Sequence, residues 1–504
     1  MKKILFKITG VVVMFGMLLT SCTKDFEEIN TNPNNIPDVL PQQLLAPALV
    51  STMRYNQIRN RNFNNELMQV TVDMSDADGK VFRYDYRSTW SDYLYNGWYS
   101  ELANFRDIYN VASEELNYNK SYIGISLVCQ SWIYSMLTDT YGDIPYRQAL
   151  QGRDSAVYEP QFDKQEDIYF DIFSKLEQAN SLLASNTGIN GNSDPVYHGD
   201  IAKWRKFSNS LYLRLLLRIS GKAAVTDTCV KKIQEILETK TGTYPIISSN
   251  EEAAFLEWNG GGPYTSPLMT IREQDYRSPA ICSFFIDHLA TWDDPRIDIP
   301  TYGTSNINRW CIAPSSGAYV GVPSGYVTGE TPTKRSYFYS TSSARTLMND
   351  PYTGIIMNYA EILFIKAEAA VKGWIGGNAE DYYKDGIINS IKYWLPDYDL
   401  TADEYIIKAD LQWNESGSLD DKMEQIHLQK YYALFLVDMQ QWFEYRRTGH
   451  PALPKGQGLR NDGVMPARMT YPVYIQSTNP TNYKAAVAEQ GPDNISTQVW
   501  WQKP

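Results

Sequence analysis

The chain has 504 residues, with 58 Asp and Glu against 46 Lys and Arg, for a formal net charge of −12. An acidic balance of this size excludes nucleic acid as a partner, because phosphate binding needs a basic face. The length is ample for a large buried core, and 37 tyrosines with 13 tryptophans form an aromatic excess that must either pack or bind.

The first element is a leader. Met1-Lys2-Lys3 gives a basic start, and Val11 to Leu19 an apolar stretch too short to span a bilayer. Leu19-Thr20-Ser21-Cys22 then has the form of a lipobox. Residues 1–21 are therefore expected to be a lipoprotein signal peptide and Cys22 the lipidation site. Cleavage removes Lys2, Lys3 and Lys7 and leaves the mature chain more acidic still. Residues 22–41 follow as an extended tether: an acidic cluster around Asp25, Glu27 and Glu28, then Asn-Pro turns that oppose helix. Beyond Cys22 the cysteines are Cys129, Cys229, Cys282 and Cys311, without CxxC spacing. In an oxidising compartment Cys282 and Cys311 are candidates for a bridge, which spacing alone does not establish.

Residues 42–504 are expected to form a single, mostly α domain. Apolar positions at helical spacing predict helical pairs near 90–140, 165–220, 357–395 and 420–448. The first pair runs through Trp90, Trp98, Phe105, Trp132 and Leu137 and stops at Asp139-Thr140-Tyr141-Gly142-Asp143-Ile144-Pro145. Stacked pairs of this kind suggest a tetratricopeptide-repeat-like scaffold, although no clean 34-residue period is visible. Residues 240–355 are rich in Gly, Pro, Ser, Thr and aromatics, with little helical period, and form the expected ligand-binding region.

Several motifs together resemble the SusD/RagB-type outer-membrane nutrient-binding lipoproteins, in their second SusD-like subgroup. They are Leu137 to Tyr146, Trp204-Arg205-Lys206-Phe207-Ser208-Asn209-Ser210-Leu211, Asp294-Pro295-Arg296, Tyr359 to Ala369, Glu444 to Pro451, and Val499-Trp500-Trp501. The resemblance implies a SusD-like fold, a place on the cell surface, and no enzymatic activity or cofactor. It also implies a TonB-dependent transporter of the SusC type as partner and an oligosaccharide as ligand. Two alternatives stand beside it: a peptide-binding member of the same family, and a lipid-anchored glycan hydrolase.

Most motif residues are better explained by structure than by binding. Asp139, Tyr141, Asp143 and Pro145 fix a helix end; Glu361 and Glu368, on one helix with Lys366, suit contacts within that helix or between repeats; Arg446 and Arg447 suit structural pairing. Trp90, Trp98, Trp132, Trp204 and Trp442 fall on apolar helical faces and are expected in the core.

Sugars stack apolar C–H patches on flat rings and take hydrogen bonds through their hydroxyls, so loop aromatics beside polar groups are the binding candidates. Those candidates are Arg83, Tyr84 and Tyr86; Trp258, Asn259 and Tyr264; Arg272, Tyr276 and Arg277, in a polar cluster with Gln274 and Asp275; and Trp310 and Tyr326. Asp76 and Asp78 resemble part of a calcium loop, but Met74 stands where its first carboxylate belongs, so no complete metal site is expected. His198, His288, His427 and His450 show no metal or catalytic spacing, and no nucleophile elbow or phosphate loop is present.

Overall fold

The computed structural model describes residues 39–299 and 305–503, so Cys22 and nearly all of the tether lie outside the described residues. Pro41–Pro504 form one structural unit. Its frame is a run of antiparallel helices: α1 (Pro41–Arg59), α2 (Ser91–Ser113), α3 (Lys120–Tyr141), α4 (Gln165–Leu183) and α5 (Ile201–Ile219), each packed on the next. After the loop-rich segment, with α6 (Ser283–Thr291) inside it, come α7 (Tyr359–Val371), α8 (Ala379–Trp394), α9 (Leu419–Ala433) and α10 (Gln440–Thr448). α7 packs on α5, α8 and α9, which joins the two runs of helices. The four predicted pairs are present within a few residues of their expected bounds, and the architecture is the mostly α, helical-pair scaffold anticipated.

Local chemistry explains the boundaries. Asn119, Asp200 and Asn358 each accept a backbone N–H from the first turn of the helix they precede, and Ser418 with Asp421 forms a full capping box on α9. Helix α3 is buried on nearly every face, which suits a central helix flanked on both sides. It ends at Gly142, whose φ of +84° and whose contact with Gln490 leave no room for a side chain: a Cβ there would lie 1.7 Å from Gln490 Oε1.

Several helices lie where none was expected, α1 and α6 among them. In α1, Pro41 begins the helix and Pro47 sits inside it, and an internal proline argues against helix. In α6, Phe284, Phe285, Ile286 and Leu289 are buried while Asp287 and Ala290 are exposed, and nine residues inside a Gly- and Pro-rich segment are too few to establish a period.

The motif residues pin helices to one another. Asp139 Oδ1 accepts from Tyr169 Oη (2.6 Å) and Trp501 Nε1 (2.8 Å), and its Oδ2 lies 3.3 Å from Arg218. Tyr141 donates to the Ser91 carbonyl, and Asp143 accepts the Gln165 N–H. Arg214 of α5 grips Glu361 of α7 bidentately at 2.6 Å, and Arg447 of α10 grips Glu368 of α7 at 2.7 Å, all four side chains being buried or nearly so. Arg447, Lys430 and Arg218 also surround Glu444. Trp98, Trp132, Trp204 and Trp442 are fully buried as expected, whereas Trp90 is only half-buried.

Candidate functional site

Among the described residues four short antiparallel ladders organise the loops: β1 (Thr71–Val72) with β5 (Ala280–Ile281), β2 (Ile144–Pro145) with β3 (Phe162–Asp163), β4 (Ala254–Leu256) with β8 (Gly354–Met357), and β6 (Ile312–Ala313) with β7 (Tyr337–Phe338). The first builds a cavity, pairing Thr71 with Ile281 and Val72 with Ala280. This register holds the loop after β1 beside the loop before β5. Between them, and closed by a π-helical turn (Asn60–Asn64) and the start of α2, lies an open cavity of about 380 Å³. That volume lies within the range of small-ligand sites.

Its wall combines one aromatic ring with charged groups of both signs. Trp90, just before α2, presents its half-buried indole, with the Arg59 guanidinium 4.7 Å from the ring centroid. Lys80 meets Asp73 at 2.8 Å. Arg61 donates to the Asp275 carbonyl at 2.5 Å and lies 5.6 Å from the Tyr276 ring. Glu66, only 7% exposed, accepts the Phe82 N–H at 3.3 Å and has no cationic group within ion-pair reach among the described residues. Burial and the neighbouring Asp73 raise its pKa to about 8, against the opposing pull of Lys80, the Phe82 N–H and Arg61. At neutral pH this carboxyl holds its proton and is a donor as well as an acceptor. An apolar plate beside fixed donors and acceptors suits a sugar ring.

The sequence candidates divide around this cavity. Asp275 lines it, from the cluster containing Arg272, Tyr276 and Arg277. Tyr276 is buried behind Arg61, Arg272 is exposed and pairs with Asp275 at 2.7 Å, and Arg277 is exposed with its guanidinium 5.7 Å from the Tyr337 ring.

Arg83 and Tyr326 form a strut. The guanidinium bonds Asp76 at 2.6 Å and the Tyr326 carbonyl at 3.2 Å, over the Phe82 and Tyr326 rings, which stack at 5.1 Å. Asp76 also accepts the Gly329 N–H; these bonds hold its carboxyl below the usual range. Asp78 is exposed nearby. Tyr84 is buried with left-handed backbone, and Tyr86 is buried with its hydroxyl on the Arg468 carbonyl.

The remaining candidates lie elsewhere. Trp258 is buried, Asn259 is exposed and shapes its own turn by accepting the Gly261 N–H, and Tyr264 packs half-buried on the core. Trp310 is fully buried, stacked on Phe285 at 5.6 Å with Arg296 over its face. Cys282 and Cys311 are separate, buried free thiols, so no bridge joins them. Among the described residues, Glu368, His427 and Glu444 alone cluster as metal ligands would, and Arg447, Lys430, Lys372 and Arg218 already neutralise the carboxylates.

The cavity residues that sequence reasoning did not single out are Arg61, Glu66, Asp73 and Lys80, with Trp90 assigned to the core. They come from separate segments and share no motif. The one available signal was Trp90's place ahead of the first turn of α2, where a ring need not be buried.

A helical-pair frame holding a mixed polar and aromatic cavity in its loops defines a ligand-binding protein. The comparisons are specific: residues 33–472 match the SusD-like_2 family, described as starch-binding and associating with the outer membrane. The chain belongs to this family and is a SusD-like nutrient-binding protein. A SusD homologue from Bacteroides uniformis is similar at 23% identity and TM-score 0.75, covering 93% of this chain and all of that one. A chitin-binding SusD homologue from Flavobacterium johnsoniae is similar at 20% identity and TM-score 0.76, covering 92% of this chain and 98% of that one. A further structure, titled a chitin-binding protein, shares 25% identity at TM-score 0.73 over 92% of this chain and 99% of that one. No curated protein matches. No helix among the described residues is long and apolar enough to cross a membrane.

Proposed function

We propose that the protein is a cell-surface lipoprotein, anchored through Cys22, that captures oligosaccharides in the Trp90 cavity and delivers them to a TonB-dependent transporter of the SusC type. The observation carrying this reading is the Trp90 ring set beside Lys80–Asp73, Arg61 and Asp275 in one open cavity. A pyranose lies with its C–H face on the indole while its hydroxyls bridge the carboxylates and the cationic groups. Support for carbohydrate comes from the family description and from relatives titled chitin-binding. The protein binds its ligand without cleaving it.

The test uses purified mature protein against a panel containing chitin and starch oligosaccharides and peptides. Binding of a glycan with tryptophan quenching, lost in Trp90→Ala and without release of shorter sugars, is the expected result. Cleavage of the glycan, or binding of peptides alone, rejects the reading. Cys22→Ala is expected to leave binding intact while releasing the protein from the membrane fraction.

A further inference from the structure

A second open cavity, of about 480 Å³, lies between the end of α10 and the C-terminal segment. Three cationic side chains line it, Arg446, Lys455 and Lys503, together with Tyr445 and Gln498, and no carboxylate does. In a chain where acidic residues outnumber basic ones 58 to 46, a cavity walled by cations alone departs from the average surface.

Arg446 makes the imbalance acute. Its guanidinium lies over Trp442 at 4.0 Å, Phe443 at 5.0 Å and Trp501 at 4.9 Å. It donates only to backbone carbonyls, those of Ala467 and, at 2.6 Å, Asp139, while its Nε is buried without a partner. The two nearby acids are already engaged. Asp139 bonds Tyr169, Trp501 and Arg218, and Glu444 bonds Arg447, Lys430 and Arg218. Burial, relieved in part by Asp139 and deepened by Arg218, brings the Arg446 pKa down to about 9. The guanidinium therefore lacks a counter-charge of its own, and the open side of the cavity is where one can arrive. Lys455 is exposed there, and Lys503 reaches the Gln490 carbonyl at 2.7 Å.

We infer that this cavity is a second ligand site, which binds an anionic oxygen group, a carboxylate or a sulfate, on an acidic saccharide or as a free ion. The three cations supply the attraction, Gln498 and the Tyr445 hydroxyl supply further hydrogen bonds, and the Tyr445 ring offers a sugar a flat edge. None of these residues lines the Trp90 cavity, so the two sites are independent.

The experiment is calorimetry on the mature chain with trigalacturonate, a sulfated disaccharide, inorganic sulfate and neutral maltotriose. At least one anion is expected to bind, more tightly than maltotriose, and to weaken several-fold as salt rises from about 20 to about 200 mM. Lys455→Glu reverses an exposed charge without disturbing the core, and is expected to weaken anion binding about tenfold or more. It leaves capture at the Trp90 cavity unchanged. Tighter binding of trigalacturonate or the sulfated sugar than of sulfate identifies a glycan source; equal binding identifies a free-anion site. Absence of anion binding, equal affinity for maltotriose, or indifference to Lys455→Glu overturns the inference, whatever the fate of the Trp90 reading.

Discussion

The interface of α5, α7, α9 and α10 and the cavity beneath Trp90 use the same residue types in opposite ways. At the helical interface the buried carboxylates are matched: Glu361 with Arg214, Glu368 with Arg447, Glu444 with Lys430, all excluded from water. In the cavity the polar groups are partly open, and Glu66, buried among them, has no ionic partner among the described residues. Matched buried pairs fix geometry, whereas unmatched groups at an open surface retain hydrogen-bonding capacity for something else. The recognisable motifs therefore mark the rigid frame, and the binding chemistry sits where no motif exists.

The frame should break hardest. Arg447→Met leaves Glu368 buried with reduced compensation and is expected to cost about 3–5 kcal/mol in urea unfolding. Burial works to raise the Glu368 pKa, but Arg447, Lys372 and His427 hold it well below the usual range. A loss under about 1 kcal/mol would show that water or a neighbour replaces the guanidinium, and that matching is not what distinguishes the frame.

The next effect is a pH dependence located in the cavity. Glu66 ionises near 4.5 when unfolded and near 8 when folded, so its proton-linked stability is fully present below the lower value and lost as pH rises through about 8. Wild type is expected to lose about 4 kcal/mol relative to Glu66→Gln between about pH 5 and pH 9, read from unfolding curves at each pH. Parallel curves for the two proteins would mean that Glu66 is already ionised, and that the cavity's charges are better matched than its geometry indicates.

How much of this was legible in the chain follows the same division. The helical pairs were, because 3.6-residue spacing in α3 or α4 reflects burial directly, and so was the structural pairing of Arg447; Asp139, read as fixing a helix end, instead bonds Tyr169, Trp501 and Arg218 across helices. Helices α1 and α6 were not, since a proline hides one and the other is only nine residues long inside a loop-rich segment. The cavity was legible only at Asp275. Loop aromatics look alike in sequence whether they stack on Phe285, as Trp310 does, or face a cavity, as Trp90 does. The β1–β5 register that decides between them joins residues some two hundred positions apart.

Trp90 sharpens the comparison by separating binding from stability. Trp90→Ala is expected to weaken glycan binding by about 1–2 kcal/mol, roughly tenfold in Kd, by removing the stacking surface. The ring is half-buried, so the unfolding midpoint should move far less than for Trp204→Ala, where a fully buried indole leaves a hole and costs about 3–5 kcal/mol. Equal destabilisation by the two substitutions would return Trp90 to the core.

The smallest effect tests the edge of the cavity. Arg272 is 84% exposed on its side chain and pairs with Asp275 three residues on, at 2.7 Å. An exposed pair of this kind contributes about 0–1 kcal/mol, so Arg272→Ala should leave stability nearly unchanged. Its consequence for binding depends on Asp275, which does line the cavity. With Arg272 gone, Asp275 Oδ2 is released to accept a ligand hydroxyl, and affinity for a neutral glycan should hold or rise within about twofold. A tenfold loss would instead place the Arg272 guanidinium on the ligand and extend the site outward along the loop before β5.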